Sequence, residues 1–384
     1  MKILIICGKL WPQASNNTNI LKKLLPLLSA GHQIRLLSSA APGETPPDTI
    51  DGFPVSWAAD DRHDLCRRIL FPAIARTVDR GGFSDALQAM LLIRRAMELK
   101  REFPYDAVLA SMEPVPAGIA AAYLPFSGKR ILYLMDPPGM VCDEANNTPY
   151  RQRMLPRVLR RMDLTLTTPF IRTALESRGL TANYREVGFP MLMPNPVIPT
   201  DQDIPMSKDK VNLLFTGWLC SDIRSPKYFL ELAKHLDERF RIVFMGKECE
   251  LLRERFDFDT KAEVVTLPNQ PYQVALNAMA DADILINIGN SVPVHMPSKT
   301  LEYINSRKPM VNFHKLPDCP TLHYTRRYPL CLNIYEGDAP DPEALIRFCL
   351  ENRGKTAPEP HIPECTPHHI ASLVSDFLST KNKE

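Results

Sequence analysis

No GxGxxG follows any strand-like run of this 384-residue chain, and neither GxxxxGK[ST] nor GxSxG occurs in it. The usual dinucleotide cradle, the P-loop route to phosphoryl transfer and the nucleophile elbow of hydrolases therefore lack their fingerprints. The nine cysteines include no CxxC pair, and their number is odd. Several sit in apolar runs such as ILIICG and RFCLEN, which reads as buried free thiols in a reducing compartment. The nine histidines show no metal-ligand spacing, and the adjacent pair His368 and His369 reads as a solvated helix start. No DxD-like metal motif stands in a suitable loop, because DAD (281–283) precedes a strand and reads as a helix end. No metal and no cofactor are expected. An excess of one charge is missing as well: the net charge is +2, so no global field draws in nucleic acid. No run approaches the ~18 apolar residues of a spanning helix. The opening MKILIICGKLW is too short in its apolar part for a signal peptide and reads as a first strand. By elimination the expected location is the cytoplasm.

What is present is ordinary soluble composition, 23% charged and 45% hydrophobic, which argues against disorder. At about 150 residues per domain the length suggests two domains or three. Strand-like apolar runs alternate with helical patterns throughout, the signature of parallel βαβ units. KILIIC (2–7) leads into NILKKLLPLLSAGH (19–32), whose leucines recur at helical spacing. Pro26 should kink that helix or end a short first piece, Gly31 should be its C-cap, and the strand QIRLLS follows. Further strands are predicted at AVLAS (107–111), RILYLM (130–135), LTLTT (164–168) and REVGF (185–189).

PMLMPNPVIPTDQDIPM (190–206) then places five prolines in a span with little periodicity, the best domain boundary in the chain. After it the pattern restarts with VNLLFTG (211–217), FRIVFMG (240–246), AEVVTLP (262–268), ADILINIG (282–289) and KPMVNF (308–313). The tail HHIASLVSDFLS (368–379) is amphipathic and helical. The expected architecture is α/β: two Rossmann-like doubly wound domains, residues 1–196 and 197–366, facing across a cleft, with a helix and tail, 367–384, packing back on the first. In such sheets ligands lie beyond the carboxyl ends of the strands, and a cleft would unite both sets of ends.

Two stretches are locally basic. RQRMLPRVLRR (151–161) carries five arginines and no acid, and CRRILFPAIAR (66–76) mixes arginine with Ile, Leu and Phe. Either they form a solvated or cleft-lining face, or they attach the protein to an anionic membrane surface.

Two helix starts are candidates for phosphate capture. In FTGWLCSDIRSPKYFLELAKHL (215–236), Ser225 is a good N-cap and Pro226 suits the first helical position, with Arg224 just outside and Lys227 in the first turn. A helix start already offers free N–H groups and a partial positive charge, and two cations there make a diphosphate site. The plainer alternative is that both cations point into water. In MPSKTLEYINSRKPMVNF (296–313), Ser298 or its predecessor caps a helix, Lys299 falls in the first turn, and Glu302 follows on the same face. These two form either an internal ion pair or a ligand site, with the carboxylate taking both hydroxyls of a ribose.

FTGWL…RSPKYFLELAKHL and ADADILINIGNSVPVHMPSKTLEYINSRKPMV resemble the nucleotide-sugar domain of GT-B fold glycosyltransferases, most closely glycosyltransferase family 4, across roughly residues 211 to 315. The first half is similar in outline only: a strand, an open loop, a helix ending AGH and a new strand. The resemblance implies a donor diphosphate held by Arg224, Lys227 and Lys299 beside Gly217, and a ribose held by Glu302. Where many members carry a second glutamate facing the sugar, this chain has Val294, which leaves Asn290, Ser291, His295 and Ser298 as the polar groups of the donor-sugar loop. Relatives also often place a histidine near the transferred sugar. Here LASMEP (109–114) and LYLMDPP (133–139) offer Glu113 and Asp136 in comparable places, as catalytic acids or as turn residues capping the next helix.

The implied activity is a retaining, metal-independent transfer of a sugar from a nucleotide diphosphate sugar to a glycan, lipid-linked or small-molecule acceptor. Cations and helix starts would neutralise the leaving diphosphate. The acceptor would enter past GKLWPQASNN (8–17), with Gly8, Trp11 and Asn16 in its loop and Trp11 stacking on a sugar ring. Expected partners are the donor, the acceptor and, through the arginine-rich surface, the inner face of a membrane, with no nucleic acid. The competing readings are a nucleotide-sugar 2-epimerase of the same architecture and a non-catalytic sugar-nucleotide-binding subunit.

Overall fold

The computed structural model describes residues 1–7, 10, 16–40, 46–59, 80–113, 115–140, 147–202, 204, 206–219 and 223–380. The chain divides into two compact units, Met1–Pro190 together with Glu364–Glu384, and Met191–Pro363.

The first unit runs β1 (Lys2–Ile6), α1 (Asn16–Ser29), β2 (Gln33–Ala40), β3 (Thr49–Ile50), β4 (Phe53–Ala59), α2 (Arg80–Glu102), β5 (Ala107–Ser111), α3 (Val115–Tyr123), β6 (Lys129–Leu134), α4 (Pro149–Leu159), β7 (Leu164–Thr167), α5 (Pro169–Ser177) and β8 (Tyr184–Glu186). Its sheet has the order β3-β4-β2-β1-β5-β6-β7-β8. All pairings are parallel except β3 with β4. The central strands are buried along their length, which is why they read as continuous apolar runs rather than alternating ones.

The second unit contributes β9 (Val211–Thr216), α6 (Lys227–Ala233), β10 (Phe240–Met245), α7 (Leu252–Arg255), β11 (Glu263–Leu267), α8 (Tyr272–Asp281), β12 (Ile284–Ile288), α9 (Lys299–Ser306), β13 (Met310–His314), α10 (Leu322–Thr325), β14 (Cys331–Tyr335) and α11 (Pro342–Asn352). Its sheet is parallel throughout, in the order β11-β10-β9-β12-β13-β14. Phe215, Phe229, Phe240, Phe244, Ile286 and Phe313 anchor its core. A last helix, α12 (Pro367–Ser379), belongs to the first unit and packs on α1. Thr366 caps it by accepting from the His369 N–H, and Lys129, buried at 9%, donates to the Phe377 and Leu378 carbonyls at its other end. A lysine there satisfies carbonyls that the helix itself leaves unpaired.

Several local expectations give way. Pro26 does not break α1, which runs through it to Ser29. The ring lies on the exposed face opposite the buried Ile20, Leu21, Leu24 and Leu28, where the carbonyl it frees meets water. Gly31 is not a left-handed C-cap, since it is absent from the positive-φ glycines, and its N–H simply bonds the Leu28 carbonyl. The strand expected at 185–189 is the short β8. Strands β3, β4 and β14 carry no clear signal in the sequence. No helix among the described residues is long and apolar enough to cross a membrane. The six described cysteines, Cys7, Cys249, Cys319, Cys331, Cys349 and Cys365, are free thiols.

Candidate functional site

In both sheets the strand order runs outward from a central pair, β1 with β5 and β9 with β12, so each has a switch point where successive connections leave in opposite directions. In the second unit the ladder at that point is short. β9 and β12 pair only at Leu213 with Ile284 and Leu214 with Leu285. Beyond these residues the ladder ends, and Tyr303 of α9 takes its place. Its hydroxyl accepts from the Thr216 N–H at 2.7 Å and donates to the Thr216 carbonyl at 3.2 Å. The end of β9 thus has its backbone groups satisfied by a phenol instead of a neighbouring strand. Burial pushes the Tyr303 hydroxyl up to about 12, so it stays protonated and able to donate.

The residues expected to hold a diphosphate gather around this strand end. Gly217 follows β9 with φ 148°, a conformation other residues rarely adopt. At Gly246, which ends β10, an added Cβ would lie 2.0 Å from the Gly217 carbonyl oxygen, so the two strand ends meet backbone to backbone. The Arg224 guanidinium lies against Gly217, with Nη1 3.5 Å from where a Cβ would be, and Arg224 Nε donates to Asn290 Oδ1 at 3.0 Å. Asn290, only 1% exposed, uses its own amide to donate to the His295 carbonyl at 2.9 Å. The Ser291 N–H bonds the Ile223 carbonyl. The loop after β12 therefore grips the segment carrying Arg224, and Asn290 and His295 act as its clamp. Val294 is half-buried in the same loop.

Lys299 opens α9, and its ammonium donates to Glu302 Oε2 at 2.7 Å, so the internal pair is formed in this state. Glu302 is buried, only 6% exposed. Its carboxylate and the Arg224 guanidinium both bear electrostatically on the Tyr303 hydroxyl, which places the anion and the cation around one phenol. Ser298 occupies the N-cap position of α9 without making a side-chain cap bond. Lys227 is exposed and opens α6, which starts one residue later than its sequence suggests. Pro226 holds the cap position, and Ser225 accepts from the Lys227 N–H at 3.4 Å, too long for a strong cap. α6 stops at Ala233.

Three contributors escaped the sequence reading. Tyr303 carries no signal, because a phenol in a buried helix face looks like core. Tyr272 opens α8, is 42% exposed, and has the Lys299 ammonium 5.4 Å from its ring centroid. Trp218, next to Gly217, is 39% exposed, donates its indole N–H to Glu248 Oε1 at 2.9 Å and lies under the Lys247 ammonium at 4.5 Å. A tryptophan directly after a strand-ending glycine, Gly217, was the available signal for the last.

At the corresponding end of the first sheet, Glu113 follows β5 and Asp136 follows β6, a neighbouring strand. The two carboxyl groups are joined by a hydrogen bond, and burial pushes the Asp136 carboxyl up to about 6 despite the opposing effect of that bond. Two acids sharing a hydrogen bond share a proton. Gly8 and Trp11, assigned to an acceptor loop, lie outside the described residues; Asn16 is the first residue of α1. Among the described residues no cluster of His, Cys, Asp and Glu is placed to hold a metal. Asp281 ends α8 and Asp283 Oδ2 accepts from the Asn212 N–H, so the DAD stretch is spent on structure.

No family model matches the sequence, and no curated protein matches it. Solved structures do. Sucrose-phosphate synthase from Thermosynechococcus elongatus superposes with a TM-score of 0.62 at 12% identity, over 97% of this chain and 94% of that one. Anabaena HepE in complex with UDP and glucose gives 0.61 at 14% identity, over 99% of each chain. Trehalose-6-phosphate synthase OtsA gives 0.65 at 12% identity, again over 99% of each. The fold is GT-B. The GT-B match extends over nearly the whole chain, including the first half, where the sequence resemblance was slight.

Proposed function

We propose that this chain is a glycosyltransferase that moves a sugar from a nucleotide diphosphate sugar to a glycan, lipid-linked or small-molecule acceptor, with retention at the anomeric carbon and without a metal. The observation that carries the reading is the gathering of Gly217, the clamped Arg224 and the Lys299–Glu302 pair around the switch point of the second sheet. Solved structures of the same fold, recorded with UDP and glucose and with UDP-2-fluoro glucose, support a donor of that class.

Each residue then has a task. Arg224 and Lys299, with the exposed Lys227 at the mouth, neutralise the diphosphate as the bond from the anomeric carbon to the phosphate oxygen breaks. For this Lys299 turns from Glu302 to phosphate, which frees both Glu302 oxygens for the ribose hydroxyls. Asn290, Ser291, His295 and Ser298 offer the polar contacts near the sugar. The acceptor hydroxyl forms the new bond, and its proton passes to the Glu113–Asp136 pair, whose shared proton keeps one carboxylate available as a base.

The arginine-rich α4 bears on where the acceptor comes from. Met154, Leu155, Val158 and Leu159 are buried inward, while Arg153, Arg157, Arg160 and Arg161 are exposed. Arg151 is committed to Asp85 at 2.5 Å. Contact with an anionic membrane through this helix would be electrostatic rather than insertional, because its apolar face is already used. A lipid-linked acceptor at the cytoplasmic face of a membrane fits that surface; the basic stretch 66–76 lies outside the described residues.

A thermal-shift panel of UDP, GDP, CDP and dTDP sugars tests the proposal. A shift with one base names the donor class, and release of that nucleotide on adding acceptor establishes transfer. The absence of any shift would sink it. The Glu113–Asp136 pair also suits a nucleotide-sugar 2-epimerase, which needs acids placed for proton abstraction. Appearance of the C2 epimer from UDP-GlcNAc without acceptor would favour that reading, and binding with no turnover of any kind would leave a non-catalytic subunit.

A further inference from the structure

Three asparagines stand side by side inside the second sheet. Strand register sets Asn287 of β12 beside Asn312 of β13, and Asn312 beside Asn333 of β14. Asn287 and Asn312 are 2% and 0% exposed. Their amides form a directed chain: Asn287 Nδ2 donates to Asn312 Oδ1 at 2.6 Å, and Asn312 Nδ2 donates to Asn333 Oδ1 at 2.8 Å. At one end Thr300 Oγ1, fully buried, donates to Asn287 Oδ1 at 3.2 Å. At the other end Thr325 Oγ1 donates to Asn333 Oδ1 at 2.7 Å, and Thr321 Oγ1 accepts from Asn312 Nδ2 at 3.2 Å.

Asparagine is disfavoured in strands, and a buried amide is costly unless it is hydrogen-bonded. The neighbouring positions Ile286, Ile288, Val311 and Phe313 show that apolar side chains suit these strands. What apolar residues could not do is hold a hydroxyl of the α9 first turn. Thr300 lies between Lys299 and Glu302, in a helix whose N-cap residue makes no side-chain bond. A second polar pin, Tyr303 on Thr216, fixes the same helix to β9. Fully satisfied polar networks of this kind select one arrangement of the elements they join.

We propose that the Asn287–Asn312–Asn333 ladder, acting through Thr300, is a positioning device that sets the height and rotation of Lys299 and Glu302 against the nucleotide. The proposal rests on the donor-site reading above and extends it to residues that touch no ligand.

The test measures the dissociation constant of whichever of UDP, GDP, CDP and dTDP binds the wild-type chain most tightly, alongside Tm. Thr300→Val, nearly isosteric but lacking the hydroxyl, should weaken binding by about tenfold, and Thr300→Ser should bring it back to within about threefold. In a Lys299→Met background the same Thr300→Val change should add little, because the group being positioned is gone. A purely structural threonine would lower Tm and leave the dissociation constant of the folded protein unchanged; that result overturns the proposal. Should Thr300→Val fail to fold, Asn333→Ala at the half-buried end decides: several-fold weaker binding supports the ladder and unchanged binding overturns it. Wild-type chain that binds none of the four nucleotides removes the donor site and this proposal together. Wild-type binding that survives both variants removes the ladder's role alone.

Discussion

The two sheets share one strand plan and differ at its centre. In the first unit β1 and β5 stay paired over Ile3 to Ile6, whereas in the second the β9–β12 ladder ends after two residue pairs and a tyrosine bonds the end of β9 instead. The chemistry follows the same division. Arginine and lysines collect at the switch point of the second sheet, and two acids sharing a hydrogen bond collect at the strand ends of the first. A common topology supplies a place for a ligand, and the side chains there decide its charge. On the proposed function, a diphosphate suits the second unit and a hydroxyl about to lose its proton suits the first.

The largest expected effect separates these roles. Asp136→Asn should lower kcat by about 10²–10⁴-fold while leaving the nucleotide dissociation constant unchanged, measured by nucleotide release and by titration. The wild-type rate should fall as pH drops below about 6, where the Asp136 carboxyl keeps its proton. A nucleotide affinity lost in Asp136→Asn would break the division. Lys299→Glu is the converse: it should abolish the thermal shift given by the donor nucleotide, a loss of roughly a hundredfold or more, and an undiminished shift would remove Lys299 from the site.

Gly246→Ala forces a methyl into the Gly217 backbone. It should cost about 3 kcal/mol of stability on denaturant unfolding, and a neutral result would mean that the strand ends can part freely. Tyr303→Phe leaves the Thr216 N–H without its partner and should cost about 1–3 kcal/mol. The smallest effect belongs to Glu336, which follows β14 with one carboxylate oxygen buried and without a hydrogen bond. Burial raises its pKa from 4.5 to about 7, against the pull of Lys315. The folded carboxyl therefore holds a proton that the unfolded chain has released, and stability falls as pH rises from 4.5 to about 7. Glu336→Gln should flatten that slope and add on the order of 1 kcal/mol at neutral pH, after allowance for solvent screening. A slope that persists in the variant would assign it to other groups.

Most of the strands were legible because buried parallel strands are written as short apolar runs, and β9 to β13 fall within a residue or two of their runs. β14, CLNIY, was not, because the strand is half-buried and its polar Asn333 belongs to a network rather than to a surface. The helix starts were legible in kind and misplaced in detail. Ser225 has the chemistry of a cap, yet the chain turns one residue later at Pro226. At the candidate site, residue types named the cations and acids, but pairing was beyond the sequence. Glu113 and Asp136 are 23 positions apart in the numbering and meet only because β5 and β6 are neighbours. Tyr303 and the asparagine ladder read as an ordinary core residue and as poor strand formers.

Apolar spacing, proline punctuation and the RSPK and PSKTLEY stretches by themselves determined two α/β units and the residues able to meet an anion, because periodicity and charge are properties of the chain. Which of those residues face one another was decided by strand order, by the short β9–β12 ladder and by the amides that link β12, β13 and β14. Those are long-range pairings, and a hydrogen bond between residues far apart leaves no mark on either neighbourhood until the fold brings the two together.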